Sequence, residues 1–252
     1  MRNVSAMGGD MKNILLCGYH WTGCKALDLL LGQGFNVFVY THDNPSHVNS
    51  LKDYCVSKSV PYSLDRVRKA NLPFKPDLIC SIYYRYLIEQ DVISAVNGKI
   101  FNLHPSLLPK YRGCSSLTWA LINGETEVGY TYHYINENFD EGNIVIQQQI
   151  PVEGWDTQLT LYHRVMFEAM RDFQQVVKLV MEGVPGTRQS SADNSYYKRG
   201  CPYDGKIDDS WPIEKIDRFI RAMVYPPLPY ATYRGKEVRT LQEYLAIKSG
   251  TR

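Results

Sequence analysis

No apolar run in this chain is long enough to cross a bilayer. The longest, "NILLC" and "ALDLLL", fall far short of the roughly 20 residues a spanning helix needs. No CxxC pair is present either. The six cysteines (Cys17, Cys24, Cys55, Cys80, Cys114, Cys201) are scattered, which argues against a disulfide framework or a zinc site and for free thiols in a reducing cytoplasm. Neither sign of charge dominates. With 28 Lys and Arg against 26 Asp and Glu the net charge is +2, too mild to indicate nucleic acid or a membrane surface as partner. The leader "MRNVSAMGGD" (1–10) lacks the apolar core of a signal peptide and is expected to play no structural role, since Met7 or Met11 can serve as the start. Internal repeats and low-complexity segments are missing too. What is present is 252 residues, 44% hydrophobic, enough for one large domain with a small appendage.

From Met11 the pattern is strand, loop, helix, strand. "NILLCG" is an apolar run ending in Gly, "CKALDLLLGQG" has helical spacing, and "NVFVYTH" is strand-like. This βαβ opening predicts an α/β fold, a Rossmann-like, mostly parallel sheet with helices on both faces. "SLKDYCVSKSV" reads as the next helix, "DLICSIYY" and "KIFNL" as strands, and "SLTWALINGE" as a short helix. "GYTYHYI" and "NIVIQQQIPV" form an expected strand pair around the acidic loop "NENFDEG". The long helix starting near Asp156 or Thr157 carries an apolar stripe (Tyr162, Met166, Met170, Phe173, Val177, Val180) that belongs to the core. After Gly183 the chain turns polar, so a catalytic domain is expected over 11–185 and a small C-terminal α+β subdomain, ending in a β-hairpin, over 186–252.

Two nucleotide motifs fail at "GYHWTG" (18–23). His20 stands where GxGxxG needs its middle glycine, although Asp43 sits where a ribose-binding acid belongs. As a Walker loop it places Lys25 one position late, and Ala26 offers no hydroxyl for magnesium. A nicotinamide-dependent oxidoreductase therefore stays as a distant alternative. His20 and Trp21 are unusual in an idle turn and can line a pocket at a helix N-terminus, which favours anions.

"FNLHPSLLPKYRG" (101–113) is the most informative stretch. Strand alternation puts Asn102 and His104 on one face, and Pro105 ends the ladder just beyond them. An Asn amide donates without changing charge, and a His carries protons near neutrality, so together they form an oxyanion-stabilising pair. Read alone, N-x-H equally suits a turn-satisfying Asn and a core His. The following "PSLLPKYRG" makes a poor core segment and a good substrate-facing loop. The acidic loop can bring a carboxylate to His104, raising its pKa, and spacing leaves Glu137, Asp140 and Glu141 equally placed.

Asn102, His104, "SLLPKYRG" and Asp140 in "NFDEGNI", with "PYDGKIDDSWP" and "IRAMVYPPLPYATY" near the end, resemble the folate-dependent formyltransferase family. That family includes glycinamide ribonucleotide, methionyl-tRNA and nucleotide-sugar formyltransferases. The resemblance implies formyl transfer from N10-formyltetrahydrofolate to an amine, without a metal. It makes Asn102 and protonated His104 the oxyanion holders and Asp140 the group that keeps His104 charged. The folate pocket carries over to Tyr86, Leu87 and Ile88 and to the loop Asn136, Glu137, Asn138, Phe139 and Asp140.

The tail bears on the amine. Some 65 extra residues are too many for the purine-pathway enzymes and too few for the tRNA enzymes' C-terminal barrel. "YYRYLI", "SLLPKYRG", "NGETEVG" and "GYHWTG" are most similar to enzymes that formylate nucleotide-linked 4-amino sugars. Where the UDP-4-amino-4-deoxyarabinose type has Arg after "KYRG", this chain has Cys114, which shifts the expectation to dTDP-4-amino-4,6-dideoxyglucose. UDP- and GDP-linked sugars are the alternatives. Gly18, Tyr19, His20, Trp21, Lys110, Tyr111 and Arg112 are the expected sugar-nucleotide contacts. The resemblance further implies a role in surface polysaccharide (O-antigen) biosynthesis and a homodimer formed through the C-terminal region.

Overall fold

Short buried strands and the helices between them build the first half of the chain. A computed structural model describes residues 11–250, so the leader read at 1–10 lies outside the described residues. The chain divides into two compact units, one running to Phe101 and including Val180–Gly183, the other holding 102–179 and everything after 183.

The first unit begins with β1 (Asn13–Gly18), α1 (His20–Gly32), β2 (Asn36–Tyr40), α2 (Leu51–Ser57), β3 (Tyr62–Ser63), β4 (Leu78–Ile82) and α3 (Gln90–Ala95). β1 pairs in parallel with β2 and with β4. Both β1 and β4 are buried apolar runs, as central strands covered on two faces must be. Ser50 caps α2 by accepting a hydrogen bond from the Asp53 amide at 3.1 Å.

β5 (Ile100–His104) is the strand at which the units divide. The second unit then carries β6 (Arg112–Gly113), α4 (Ser116–Asn123), β7 (Glu127–Tyr134), β8 (Ile144–Pro151), α5 (Gln158–Glu182), β9 (Tyr196–Tyr197), α6 (Ile213–Ala222), β10 (Ala231–Tyr233), β11 (Lys236–Val238) and α7 (Leu241–Ser249). The mostly parallel central sheet has the order β3-β2-β1-β4-β5-β7-β8. β7 and β8 run antiparallel, with a register shift between Tyr132 and His133.

The stripe on α5 is buried as its 3.6-residue spacing requires, from Leu161 and Val165 to Phe173 and Val180. The Thr157 hydroxyl accepts from the Thr160 amide at 3.3 Å to start the helix. Gly183, at φ 77°, supplies the left-handed residue that ends it.

Three expectations need correction. The first helix starts at His20 rather than Cys24, leaving only Tyr19 between β1 and α1. "GYHWTG" is therefore mostly helix, and a Cβ at its Gly23 would meet the tip of the Leu51 side chain at 2.8 Å. "DLICSIYY" is strand only to Ile82, because Tyr83 turns to φ 60° and residues 83–89 form a loop. The hairpin at 231–238 forms, but α7 follows it, docked by Asp209, which accepts from the Tyr244 hydroxyl at 2.8 Å and the Tyr233 hydroxyl at 2.5 Å.

Candidate active site

Three segments of the second unit meet at the end of β5. The strand supplies Asn102 and His104, β7 supplies His133, and the loop after β7 supplies Asp140. His104 and His133 are buried, at 4% and 2% exposure, while the Asp140 side chain retains 14%. His104 Nε2 lies 2.8 Å from the Tyr111 carbonyl oxygen and 3.2 Å from Ser116 Oγ. A carbonyl only accepts, so Nε2 carries a hydrogen and the lone pair of the neutral ring sits on Nδ1. Nδ1 faces Asp140 Oδ2 at 3.6 Å, an ion-pair distance rather than a hydrogen bond.

His133 joins the other two groups. Its Nδ1–H donates to the Tyr134 carbonyl at 2.8 Å, leaving Nε2 at 3.3 Å from Asn102 Nδ2 and 3.4 Å from Asp140 Oδ1. The neutral ring accepts from the Asn102 amide, and a protonated one donates to Asp140. The register shift between Tyr132 and His133 marks where β7 departs from regular pairing to present this ring.

Asp140 sits at φ 54°, in the left-handed region, and its Oδ2 accepts from the Gly113 amide at 2.9 Å. Burial alone pushes its carboxyl up. At the acid pH where the carboxyl titrates, the charged His104 ring, His133 and the Gly113 N–H together outweigh burial and hold it well below the usual range. For His104 the balance goes the other way. Burial lowers its pKa by more than Asp140 and the Tyr111 carbonyl raise it, with His133 and Arg112 adding to the lowering. The expected upward pull of Asp140 is present, but desolvation outweighs it, a net direction that favours the neutral ring at neutral pH.

Glu141 pairs with Arg112 at 2.8 Å, and Glu137 is exposed, so Asp140 is the loop carboxylate at His104. Asn136 Oδ1 accepts from the Asn138 amide at 3.1 Å, and Phe139 is 58% exposed.

Of the residues expected at the sugar nucleotide, Arg112 is engaged by the protein itself. Its Nη1 donates to Glu141 and its Nη2 to Gln189 Oε1 at 2.7 Å. Tyr111 is also scaffold. Its hydroxyl donates to Glu125 at 2.8 Å, its amide to Ser195 at 2.8 Å, and its ring stacks on Tyr197. Lys110 is exposed, 3.9 Å from Glu125, beside a cavity of about 330 Å³ shared with Ser106, Ser116 and Gln149. Glu125, Glu127 and Asp193 also line that cavity, so Lys110 stands there among three carboxylates.

In the first unit, Tyr19 stacks on the buried His42 at 4.0 Å, and Tyr86 meets the same ring edge-on. Burial pushes His42 down to about 4, with Arg85 acting in the same direction. Leu87 is 46% exposed, Ile88 is buried, and Gly18 precedes the first turn of α1, where His20 and Trp21 are half-buried. Asp43, the residue placed for a ribose, pairs with Lys52 at 3.4 Å instead, and Lys25 is exposed. Among the described residues no group of three or more His, Cys, Asp or Glu is placed to hold a metal ion, and no helix is long and apolar enough to cross a membrane.

Sequence reasoning missed His133, Ser116 and Gln189. His133 carried a signal, being a histidine in the strand that leads into the acidic loop.

Known proteins match this architecture. A family model described as "Formyl transferase" matches residues 39–177. The GDP-perosamine N-formyltransferase of Brucella melitensis biotype 1 is 36% identical over 229 residues, 88% of each chain. Two solved structures share the fold. WlaRD, a sugar 3N-formyl transferase solved with dTDP and 5-N-formyl-THF, superposes at a TM-score of 0.79 with 21% identity, over 92% of this chain and 86% of that one. The N-formyltransferase from Helicobacter canadensis, in complex with folinic acid and dTDP-3-aminofucose, does so at 0.76 with 22% identity, over 91% and 87%.

Proposed function

The chain belongs to the formyl transferase family, and from that premise we propose that it moves a formyl group from N10-formyltetrahydrofolate to the amine of a nucleotide-linked amino sugar. The observation that carries this reading is the Asn102–His133–Asp140–His104 cluster at the end of β5, with both histidines buried.

Each group has a task in that transfer. The sugar amine attacks the formyl carbon, and the carbonyl oxygen gathers negative charge in the tetrahedral intermediate. The Asn102 amide, oriented by His133, donates to that oxygen. His104 is neutral at rest with its lone pair on Nδ1, so across a water it accepts the proton that the amine gives up. Asp140 then stabilises the imidazolium, since the protonated Nδ1 points at its carboxylate. Collapse breaks the bond from the formyl carbon to N10, and N10 takes up a proton. Tyr86, Leu87, Ile88 and the loop 136–140 are the proposed folate contacts. Gly18, Tyr19, His20, Trp21, Lys110, Tyr111 and Arg112 are the proposed nucleotide-sugar contacts, with Arg112 and Tyr111 also holding the loops.

For the base, a relative at 36% identity is named for a GDP-linked sugar, which supports GDP ahead of the dTDP expected from the sequence. A dTDP sugar is the second reading, favoured by Cys114 after "KYRG". Either product suits surface polysaccharide assembly. Incubation with N10-formyltetrahydrofolate and GDP-, dTDP- and UDP-linked amino sugars, followed by mass spectrometry, tests both. The expected result is one added formyl group, largest in yield with a GDP sugar. No product with any acceptor, and no folate binding, sinks the reading.

A further inference from the structure

Resting on the formyl-transfer reading, we propose that Gln189 is a positioning residue, a latch that holds the carboxylate of Asp140 in place. Its side-chain amide has two hydrogens and one carbonyl oxygen, and all are used. Nε2 donates to the Asp140 carbonyl at 2.8 Å and to the Gly142 carbonyl at 2.8 Å. Oε1 accepts from Arg112 Nη2 at 2.7 Å, while Arg112 Nη1 grips Glu141 at 2.8 Å. The flipped amide would set its oxygen against two carbonyls and its NH₂ against a guanidinium, so the network fixes its orientation.

Three successive loop residues, 140, 141 and 142, are thus held through one side chain and the arginine it orients. Asp140 needs such a hold. Its backbone is left-handed, which a non-glycine residue keeps only when its surroundings impose it. Gly142 is pressed so close to the Tyr134 carbonyl that a Cβ would lie 1.8 Å from that oxygen. Without the latch the loop relaxes toward ordinary backbone angles, and the carboxylate moves off His104.

The readout is the titration of His104. Asp140 faces Nδ1, the Tyr111 carbonyl and Ser116 hydroxyl face Nε2, and the His133 ring and Arg112 act from β7 and β6. Of these Asp140 is the anion, so its retreat removes an attraction and lowers the His104 pKa. The full-length protein and its Gln189→Met variant are titrated by NMR on the assigned His104 ring, without substrate, and then assayed. The variant is expected to lower the His104 midpoint by about half a unit or more. Its kcat is expected to fall about tenfold or more, with both KM values within about threefold. An unchanged midpoint and kcat overturn the proposal. So does a lower melting temperature with a wild-type titration, which assigns Gln189 to stability alone. Should the Met variant fail to fold, Gln189→Asn decides in the same way, because it keeps the amide but is one methylene too short to reach both carbonyls. A lowered midpoint in a protein that formylates no amino sugar leaves the latch standing and removes the formyl-transfer reading.

Discussion

His104 Nδ1 and Asp140 Oδ2 stand 3.6 Å apart, and the two groups pull each other's protonation in the direction that burial opposes. Asp140 stays charged despite being mostly enclosed. His104 stays neutral despite its carboxylate neighbour. That asymmetry suits a base that must be unprotonated at rest and stabilised once it takes a proton.

It fixes the pH dependence of turnover. Since burial lowers the His104 pKa, kcat should rise with pH through a midpoint below the ordinary imidazole value of about 6.5 and be flat near neutrality. Asp140→Asn removes the counter-charge, moving that midpoint lower still and cutting kcat by about a hundredfold. Steady-state kinetics from acid to neutral pH check both.

Stability follows the same carboxylate. A carboxyl depressed on folding contributes fully above its unfolded value of about 4, and that contribution is lost as pH falls toward the folded value. Urea titrations of the wild type should show stability falling below about pH 4. Asp140→Asn should flatten that slope, and an unchanged slope contradicts the assignment.

Asn102→Ala should fold normally, being half-buried and joined to the cluster through His133, and lose about 10²–10³ in kcat. His133→Phe keeps the ring's bulk but not its nitrogen, and should cost about tenfold by removing the acceptor that orients the amide. Circular dichroism separates these losses from misfolding.

Gly113→Ala tests the backbone side of the site. At φ 87° with the Tyr197 carbonyl 2.3 Å from the place of a Cβ, the alanine must part β6 from β9 and carry its amide away from Asp140. Loss of turnover with a lowered melting temperature is expected.

Much of this was legible in the residues. Alternation along "FNLHP" brought Asn102 and His104 together, and the period-3.6 stripe on α5 located the core. What stayed hidden depends on long-range contacts. The Arg112–Gln189 bond spans 77 positions, and nothing local in "TRQSS" announces it. The bonds Arg112 makes to Glu141 and Gln189 were hidden for the same reason, since both partners are remote. The desolvation that opposes Asp140 at His104 was hidden for a similar reason, since burial is set by the whole fold and not by the nearest carboxylate. α7 lacked a clear stripe, with only Tyr244 fully buried, so the hairpin before it read as the end of the chain.

The central claim is that the formyl carbon passes to a sugar amine at this cluster. Carbon-13-labelled N10-formyltetrahydrofolate, mixed with a GDP-linked amino sugar and followed by NMR, tests it most directly. The account predicts a formamide carbon growing on the sugar with wild-type protein and essentially none with His104→Asn. Label that stays on the folate or leaves as free formate, or a His104→Asn protein as fast as the wild type, contradicts it.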